Sequence, residues 1–378
     1  MLYWLLYLKL YHYFPPFRIF RYLTFRTAFA SMTALFTGLV IGPLVIRRLR
    51  EFQIGQYIRE EGPKSHQKKS GTPTMGGLLI VIAIVLPTLL WADLANPFVW
   101  ICVLSTLAFG AIGFADDYIK VVMKRNLGLT ARAKLFWQMM VSVGVASALA
   151  ILTQFRMFST ELTVPFIKTW HPNLIWHWPA TIPFLGFLAF VPFVLFVVFF
   201  LLGSSNAVNL TDGLDGLAIG CTIVAAGAFT VLTYVTSSIV YADYLEIQRM
   251  PLVAELTVFC GSMVGASIGF LWYNAHPAEV FMGDVGSLAL GGAIGTVAVV
   301  IRQELLLPFV GGIFIIEALS VVLQVGSYKF RNKKRIFKMA PLHHHFEQLG
   351  WSESKVIVRF WILALIFALL ALTTLKLR

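Results

Sequence analysis

The stretch Phe187-Leu-Ala-Phe-Val-Pro-Phe-Val-Leu-Phe-Val-Val-Phe-Phe-Leu-Leu202 carries no charged or amide side chain over 16 residues. It runs directly into Gly203-Ser-Ser-Asn206-Ala-Val-Asn209-Leu-Thr-Asp212-Gly-Leu-Asp215-Gly-Leu217. Its first half decides the fold class. A transmembrane helix takes about 20 apolar residues, and comparable runs recur along the chain, among them Ile357 to Leu375. A β-barrel would show segments of about ten residues with alternating polarity, whereas these runs are continuously apolar. Of the 378 residues 58% are hydrophobic and 13% charged, against roughly half and a quarter in a soluble domain. A soluble fold is excluded, and the expectation is an all-α, polytopic integral membrane protein.

Outward from that stretch, hydropathy predicts ten spanning segments: 25–46, 75–92, 97–115, 135–153, 184–203, 214–236, 253–273, 286–301, 305–326 and 356–375. They form one domain over residues 1–378, with no soluble domain, low-complexity tract or internal repeat. Residues 1–22 are aromatic and apolar but have no basic n-region or small-residue cleavage site, so they predict an interfacial segment stopped by Pro15 and Pro16, not a signal peptide. Residues 154–183, with Trp170, Trp176 and Trp178, predict an interfacial anchoring loop. Cys102, Cys221 and Cys260 all lie in apolar runs, which supports neither disulfides nor a zinc site.

The net charge of +12 is distributed unevenly. Loops after the first, third and ninth segments hold 19 Lys and Arg, whereas the opposite loops hold four: Arg156, Lys168, Arg249 and Arg302. Basic residues concentrate in cytoplasmic loops, so those three loops are expected to be cytoplasmic and both termini periplasmic. Lys9, Arg18, Arg21 and Arg26 are a minority signal against this.

Five of the seven aspartates, Asp116, Asp117, Asp212, Asp215 and Asp284, fall at helix ends beside the basic loops. Carboxylates there are costly to bury and read as functional candidates with partners. Asp116 and Asp117 end the third segment, where the helix dipole disfavours them; neighbouring helical residues point about 100° apart, so one of the two is expected to face a site. Lys120, one turn on, can pair with Asp116 or bind an anion. Asn206, Asn209, Asp212 and Asp215 recur every three residues, which predicts a polar helical stripe entering the sixth segment. Asp284, in Phe-Met-Gly-Asp-Val-Gly-Ser, stands where an N-cap of the eighth segment would, and Asn274, His276 and Phe281 lie just before it. The aromatic ring of Phe281 suits base stacking. Lys69 and Thr74 belong to Lys68-Lys-Ser-Gly-Thr-Pro-Thr-Met-Gly-Gly77, which lacks the Walker A order. His343, His344 and His345, in Pro341-Leu-His-His-His-Phe-Glu347, follow a basic run and suit phosphate contact. Scattered carboxylates without a cysteine cluster suit Mg2+ better than zinc. A cation-coupled transporter would hold its carboxylates near the bilayer midplane, not at one interface.

With Asp116-Asp117, the Asn206 to Ala218 motif and Pro341-Leu-His-His-His-Phe-Glu in place, together with Gly71 to Gly77 and Phe281 to Asp284, the chain resembles the phospho-N-acetylmuramoyl-pentapeptide-transferase family of polyprenyl-phosphate sugar-1-phosphate transferases. The resemblance extends from the first segment to the tenth. It implies Mg2+-dependent transfer of phospho-N-acetylmuramoyl-pentapeptide from its UDP carrier to undecaprenyl phosphate, giving UMP and lipid I for peptidoglycan. It also implies ten helices in the bacterial inner membrane, a cytoplasmic site and a homodimer; no nucleic-acid partner is expected. By correspondence Asp284 is the metal ligand, Phe281 stacks near uracil, and Asn274 and Gln324 lie in the nucleoside region. Asp116, Asp117, Asp212, Asp215 and His343 to His345 are essential polar residues, with Lys69 and Lys120 catalytic and Asn206, Asn209 and Thr74 substrate-binding. Direct attack by the lipid phosphate, with Asp116 taking any proton, is the expected mechanism, and a phospho-aspartate intermediate is the alternative. The related UDP-N-acetylglucosamine:polyprenyl-phosphate transferases share the acidic loops, and the histidine motif favours the muramoyl substrate.

Overall fold

A helix saturates its own backbone hydrogen bonds, which a lipid environment demands, and among the described residues the long apolar runs are helical. The computed structural model describes residues 1–51, 71–121, 123, 128–167, 170–176, 188–331 and 333–376. The main helices are α1 (Leu23–Glu51), α2 (Gly77–Trp91), α3 (Pro97–Val121), α4 (Ala131–Gln154), α5 (Val191–Thr211), α6 (Leu217–Ser237), α7 (Ile239–Leu245), α8 (Leu256–Asn274), α9 (Gly283–Val300), α10 (Leu307–Val310), α11 (Gly312–Phe330), α12 (Leu342–Gln348) and α13 (Glu353–Thr373). Among the described residues nine helices are long and apolar enough to cross a membrane, and α2, apolar but of 15 residues, makes a shorter tenth. These ten match the predicted segments one for one. The ninth segment is broken into α10 and α11.

α9 is the axis of the bundle. Every residue from Val285 to Val300 is buried, and its small residues let neighbours approach closely, as between membrane helices generally. α3 and α5 flank it. Ser105 and Thr296 share a hydroxyl hydrogen bond of 2.7 Å, and Ser204 Oγ donates to the Gly291 carbonyl at 2.7 Å. α1 lies along α8 through Ala30, Ala34, Gly38 and Gly42, a buried four-residue repeat. Gly38 and Gly269 nearly touch there, since a Cβ added to Gly38 would stand 3.1 Å from the Gly269 Cα.

The N-terminal residues form two short helical turns, Trp4–Leu10 and Pro15–Arg21, with no residue buried. Between α4 and α5 the described residues hold a single bridge, Glu161 to Asn173, and no strand. Two basic residues assigned to the outer side prove to be interior. Arg26 is buried, with both terminal nitrogens on Glu255 at 2.6 and 2.7 Å. Arg302 is buried against the Glu161 carbonyl and the Gln248 side-chain oxygen.

Candidate active site

The C-terminal end of α3 meets the N-terminal end of α9, and the acidic residues gather at that junction. The close approach requires Gly113, because a Cβ there would stand 2.1 Å from the Asp284 carbonyl oxygen. Gly283 has φ +70°, which favours glycine, and a Cβ there would also crowd Asp117 Oδ2 at 2.5 Å. The free backbone N–H groups at the start of α9 find an acceptor in Asp117, whose Oδ2 takes the Val285 N–H at 3.2 Å.

Asp116 and Asp117 are both buried. The expectation that one of the pair faces a site is corrected: both send an oxygen to a common point with Asp284, and the three ligand atoms lie within 4.8 Å of one another. The chain reverses after α3, so that side chains 100° apart on the helix can both be enclosed. The Leu129 N–H donates to Asp116 Oδ1 at 2.7 Å from the returning chain. Lys120 Nζ pairs with Asp116 Oδ2 at 2.5 Å and Asp284 Oδ2 at 2.6 Å, and stands 3.7 Å from Asp117 Oδ1. These contacts offset the unfavourable placement of carboxylates at a helix C-terminus. Asn209 Nδ2 donates to Asp284 Oδ1 at 2.6 Å and to Ser287 Oγ at 2.8 Å.

Asp284 is not an N-cap. The cap is Met282, and Asp284 lies inside the first turn of α9, where a carboxylate still suits the dipole. The predicted stripe entering the sixth segment is also corrected. α5 continues to Thr211, so Asn206 and Asn209 end α5, Asp212 caps its C-terminus and Asp215 lies in the turn before α6. Gly216, at φ +79°, caps the start of that helix, and the periodicity is already broken where α5 ends. Asn206 Nδ2 turns away from the cluster to Gln138 Oε1 and the Leu202 carbonyl, both at 2.8 Å. Asp212 is half-buried. Desolvation first, then the charges of Asp284, Asp117 and Asp215, push its carboxyl well above the ordinary carboxylate range, with the Gly283 N–H pulling the other way.

Asp215 belongs to a second cluster with His276 and Glu353. Its Oδ2 stands 3.2 Å from His276 Nδ1 and accepts the Ala278 N–H at 3.1 Å, and Glu353 Oε2 lies 3.5 Å from the same ring nitrogen. Asn274 is buried and spends its amide on the backbone, accepting from the Gly216 N–H at 3.0 Å and donating to the Val280 carbonyl at 2.9 Å. Phe281, half-buried, is held by two main-chain bonds, its N–H to the Pro73 carbonyl at 2.8 Å and its carbonyl to the Gly76 N–H at 2.9 Å. The glycine-rich motif around the buried Thr74 thus clamps the Phe281 to Asp284 turn. Lys69 lies outside the described residues.

Gln324 also serves the backbone, accepting from Ile336 and Phe337 and donating to the Phe337 carbonyl. Of the three histidines, His343 is fully buried, with Nδ1 3.2 Å from Glu317 Oε2, and a Cβ on Gly213 would strike its Nε2. The expectation that all three suit phosphate contact is therefore corrected for His343, which is buried in the core. His344 Nδ1 lies 2.7 Å from Glu347 Oε2, and His345 Nδ1 accepts the Lys338 N–H at 3.1 Å.

Three further residues were missed by the sequence reading. Lys134, in the first turn of α4, places Nζ 3.0 Å from Asp284 Oδ2; it was counted only as a loop charge. Glu317 is a fully buried carboxylate inside α11 that accepts the Leu342 N–H at 2.7 Å and the His343 N–H at 3.1 Å. A lone carboxylate within an apolar span is the signal that would have found it. Glu353, in the first turn of α13, joins Asp215 and His276 in the second cluster.

Comparisons with known proteins identify the family. Residues 99–302 match the family described as Glycosyl transferase family 4, and residues 69–81 match phospho-N-acetylmuramoyl-pentapeptide-transferase signature 1. Proteins of that name from Koribacter versatilis and Acidobacterium capsulatum are 73% and 75% identical to the chain, each over the full length of both proteins. The chain belongs to the phospho-N-acetylmuramoyl-pentapeptide-transferase family. A relative of the same name from Solibacter usitatus is 61% identical, again over both full lengths.

Proposed function

We propose that the chain transfers phospho-N-acetylmuramoyl-pentapeptide from UDP to undecaprenyl phosphate in the bacterial inner membrane, releasing UMP and forming lipid I for peptidoglycan. The observation that carries the reading is the convergence of Asp116, Asp117 and Asp284, with Lys120 and Lys134 between them, at the basic-loop ends of the helices. Three hard carboxylate oxygens without sulfur fit Mg2+. When bound, the ion supplies charge neutralisation to the diphosphate, the principal need of phosphoryl transfer.

The chain's own residues do the rest. Asp284 is aimed by Asn209, which fixes one of its oxygens and leaves the other facing the cluster. Lys120 and Lys134 bring two positive charges to where phosphates would approach. Phe281 stacks on the uracil. Asp116 accepts a proton from the lipid phosphate, which attacks the sugar-linked phosphorus directly. Both Asp116 oxygens are already engaged, by Lys120 and by the Leu129 N–H, which suits a charge held in place better than an in-line nucleophile. His343 acts by position, buttressing the Asp212 to Asp215 turn through Gly213.

The basic-loop bias favours a cytoplasmic site with both termini periplasmic, and the family reading favours a homodimer. The deciding experiment incubates the purified protein with UDP-N-acetylmuramoyl-pentapeptide, undecaprenyl phosphate and Mg2+ and follows UMP. Release that requires all three supports the reading. Release with UDP-N-acetylglucosamine in place of the muramoyl nucleotide, and none with the latter, would replace it.

A further inference from the structure

Lys120 Nζ occupies a peculiar position. It touches Asp116 Oδ2 at 2.5 Å and Asp284 Oδ2 at 2.6 Å and lies 3.7 Å from Asp117 Oδ1, and those side chains form the candidate cation site. Lys134 Nζ approaches from one side only, 3.0 Å from Asp284 Oδ2 and 3.7 Å from Asp116 Oδ2. The remaining carboxylate oxygens are bound elsewhere: Asp116 Oδ1 to Leu129, Asp117 Oδ2 to Val285 and Asp284 Oδ1 to Asn209. The oxygens left for a cation are therefore the ones Lys120 holds. Magnesium binds oxygen at about 2.0–2.1 Å, so an ion on these oxygens and the ammonium cannot share the space.

We propose that Lys120 is a resident counter-cation, exchanged out of the carboxylate cluster when a divalent ion enters, and that its released ammonium becomes a phosphate contact for the nucleoside diphosphate. The inference rests on reading the cluster as the cation site. Lys120 is the residue that moves because it lies at the centre of the three oxygens and its side chain is 36% exposed, whereas that of Lys134 is 16% exposed. A flexible stem with a compact charge permits such a swing. The stem runs along Gly128, where an added Cβ would stand 2.8 Å from Lys120 Cε and 3.0 Å from Cγ, so the absent side chain leaves the stem its place beside the cluster.

Exchange also solves an electrostatic problem. Three carboxylates this close repel one another strongly when desolvated. Lys120 holds them together before the ion arrives, and the ion's entry supplies the diphosphate with a positive group that was previously occupied. Cation and nucleotide then bind cooperatively without a change of fold.

The test uses the unaltered full-length protein in detergent, with reductive methylation of lysines read by peptide mass spectrometry and Mn2+ binding read by electron paramagnetic resonance. Freed from its charge-assisted bonds, Lys120 should be methylated at least about fivefold faster with Mg2+ than without, and Lys134 less than about twofold faster. Lys120→Met, or Lys120→Gln if the first variant does not fold, should bind Mn2+ at least about tenfold more tightly, having lost the competing charge. The same variant should bind the UDP-linked substrate more weakly. Unchanged Lys120 labelling in protein shown to bind Mn2+ would overturn the exchange while leaving the cation site intact, and so would weaker Mn2+ binding by both variants. Absence of Mn2+ binding by the unaltered protein would remove the cation site itself and the exchange with it.

Discussion

Gly113→Ala tests whether the site is set by helix approach. An ideal Cβ at 113 lies 2.1 Å from the Asp284 carbonyl oxygen, 2.4 Å from its carbon and 2.6 Å from the Val285 nitrogen. Non-bonded heavy atoms settle at about 3.5 Å, so α3 and the start of α9 must part by roughly 1 Å. No flexible side chain is available to yield, since every obstructing atom is backbone. Asp284 would then move relative to Asp116 and Asp117, and a 1 Å misplacement of reacting groups can cost about 10²-fold in rate. Overpacking of this kind costs about 1–3 kcal/mol of stability, so the variant should still fold. The assay is UMP release at saturating substrates, paired with a melting curve. Two further alanines grade the effect: Gly110, whose nearest neighbour would be 3.4 Å away, should lose only a few-fold in rate, and Gly144, with nothing within 4 Å, should lose nothing. Turnover of Gly113→Ala within about twofold of the unaltered enzyme would refute the reasoning.

Four other outcomes are expected. Phe281→Ala should weaken binding of the UDP-linked substrate by about 1–3 kcal/mol, the range for a base stacked on an aromatic, with lipid-phosphate affinity unchanged; equal losses would make Phe281 a structural plug. Glu317→Gln leaves one acceptor for the two N–H groups of Leu342 and His343 and should destabilise the histidine segment by roughly 1.5–3 kcal/mol, read as faster proteolysis there; unchanged cleavage would deny it the anchoring role. Glu304 is buried with Oε2 unpaired, and desolvation pushes its carboxyl up to about 8, against the attraction of Arg302. A folded value above the unfolded one, 4.5, means that stability is full below about pH 4.5 and falls as pH rises to about 8; melting curves across that window should flatten in Glu304→Gln, and a parallel fall would contradict the assignment. A reporter fused after Lys338 should be cytoplasmic and one at the C-terminus periplasmic; the same side for both would break the loop assignment.

The spans were legible because apolar length is a local property: each predicted segment has its helix, and even the short α2 stands out by composition. The carboxylates were legible because an aspartate at a membrane helix end is expensive wherever the helix goes. What they touch was not legible. Lys134 reaches Asp284 across 150 residues of sequence and Asn209 across 75, distances at which no periodicity speaks. The stripe from Asn206 to Asp215 is cut at Asp212, where α5 ends: a three-residue repeat is compatible with a helix but also with a helix end followed by a turn. Asn274 and Gln324 show a further limit. Their amides satisfy loop backbone, and a buried N–H or C=O needs a partner as urgently as a substrate does, so an amide beside a site can be scaffolding.

The outward charges illustrate the same limit from the other side. A count of basic residues treats every Lys and Arg alike, but the bias it measures acts on charges that meet the membrane surface. Arg26 carries Glu255 on both terminal nitrogens and Arg302 is buried against Glu161 and Gln248, so neither presents a free charge to lipid. Of the opposing residues, Arg156 and Arg249 stay exposed. Lys9 lies 4.8 Å over the Trp4 ring, within an N-terminal segment whose exposed Trp4, Tyr13, Phe14 and Tyr22 suit the headgroup layer. There lipid phosphates can balance Lys9, Arg18 and Arg21 on either face. With Arg26 and Arg302 paired inside the fold, neither weighs against the loop bias, and on the proposed topology the Asp116, Asp117 and Asp284 cluster faces the compartment from which a water-soluble nucleotide would come.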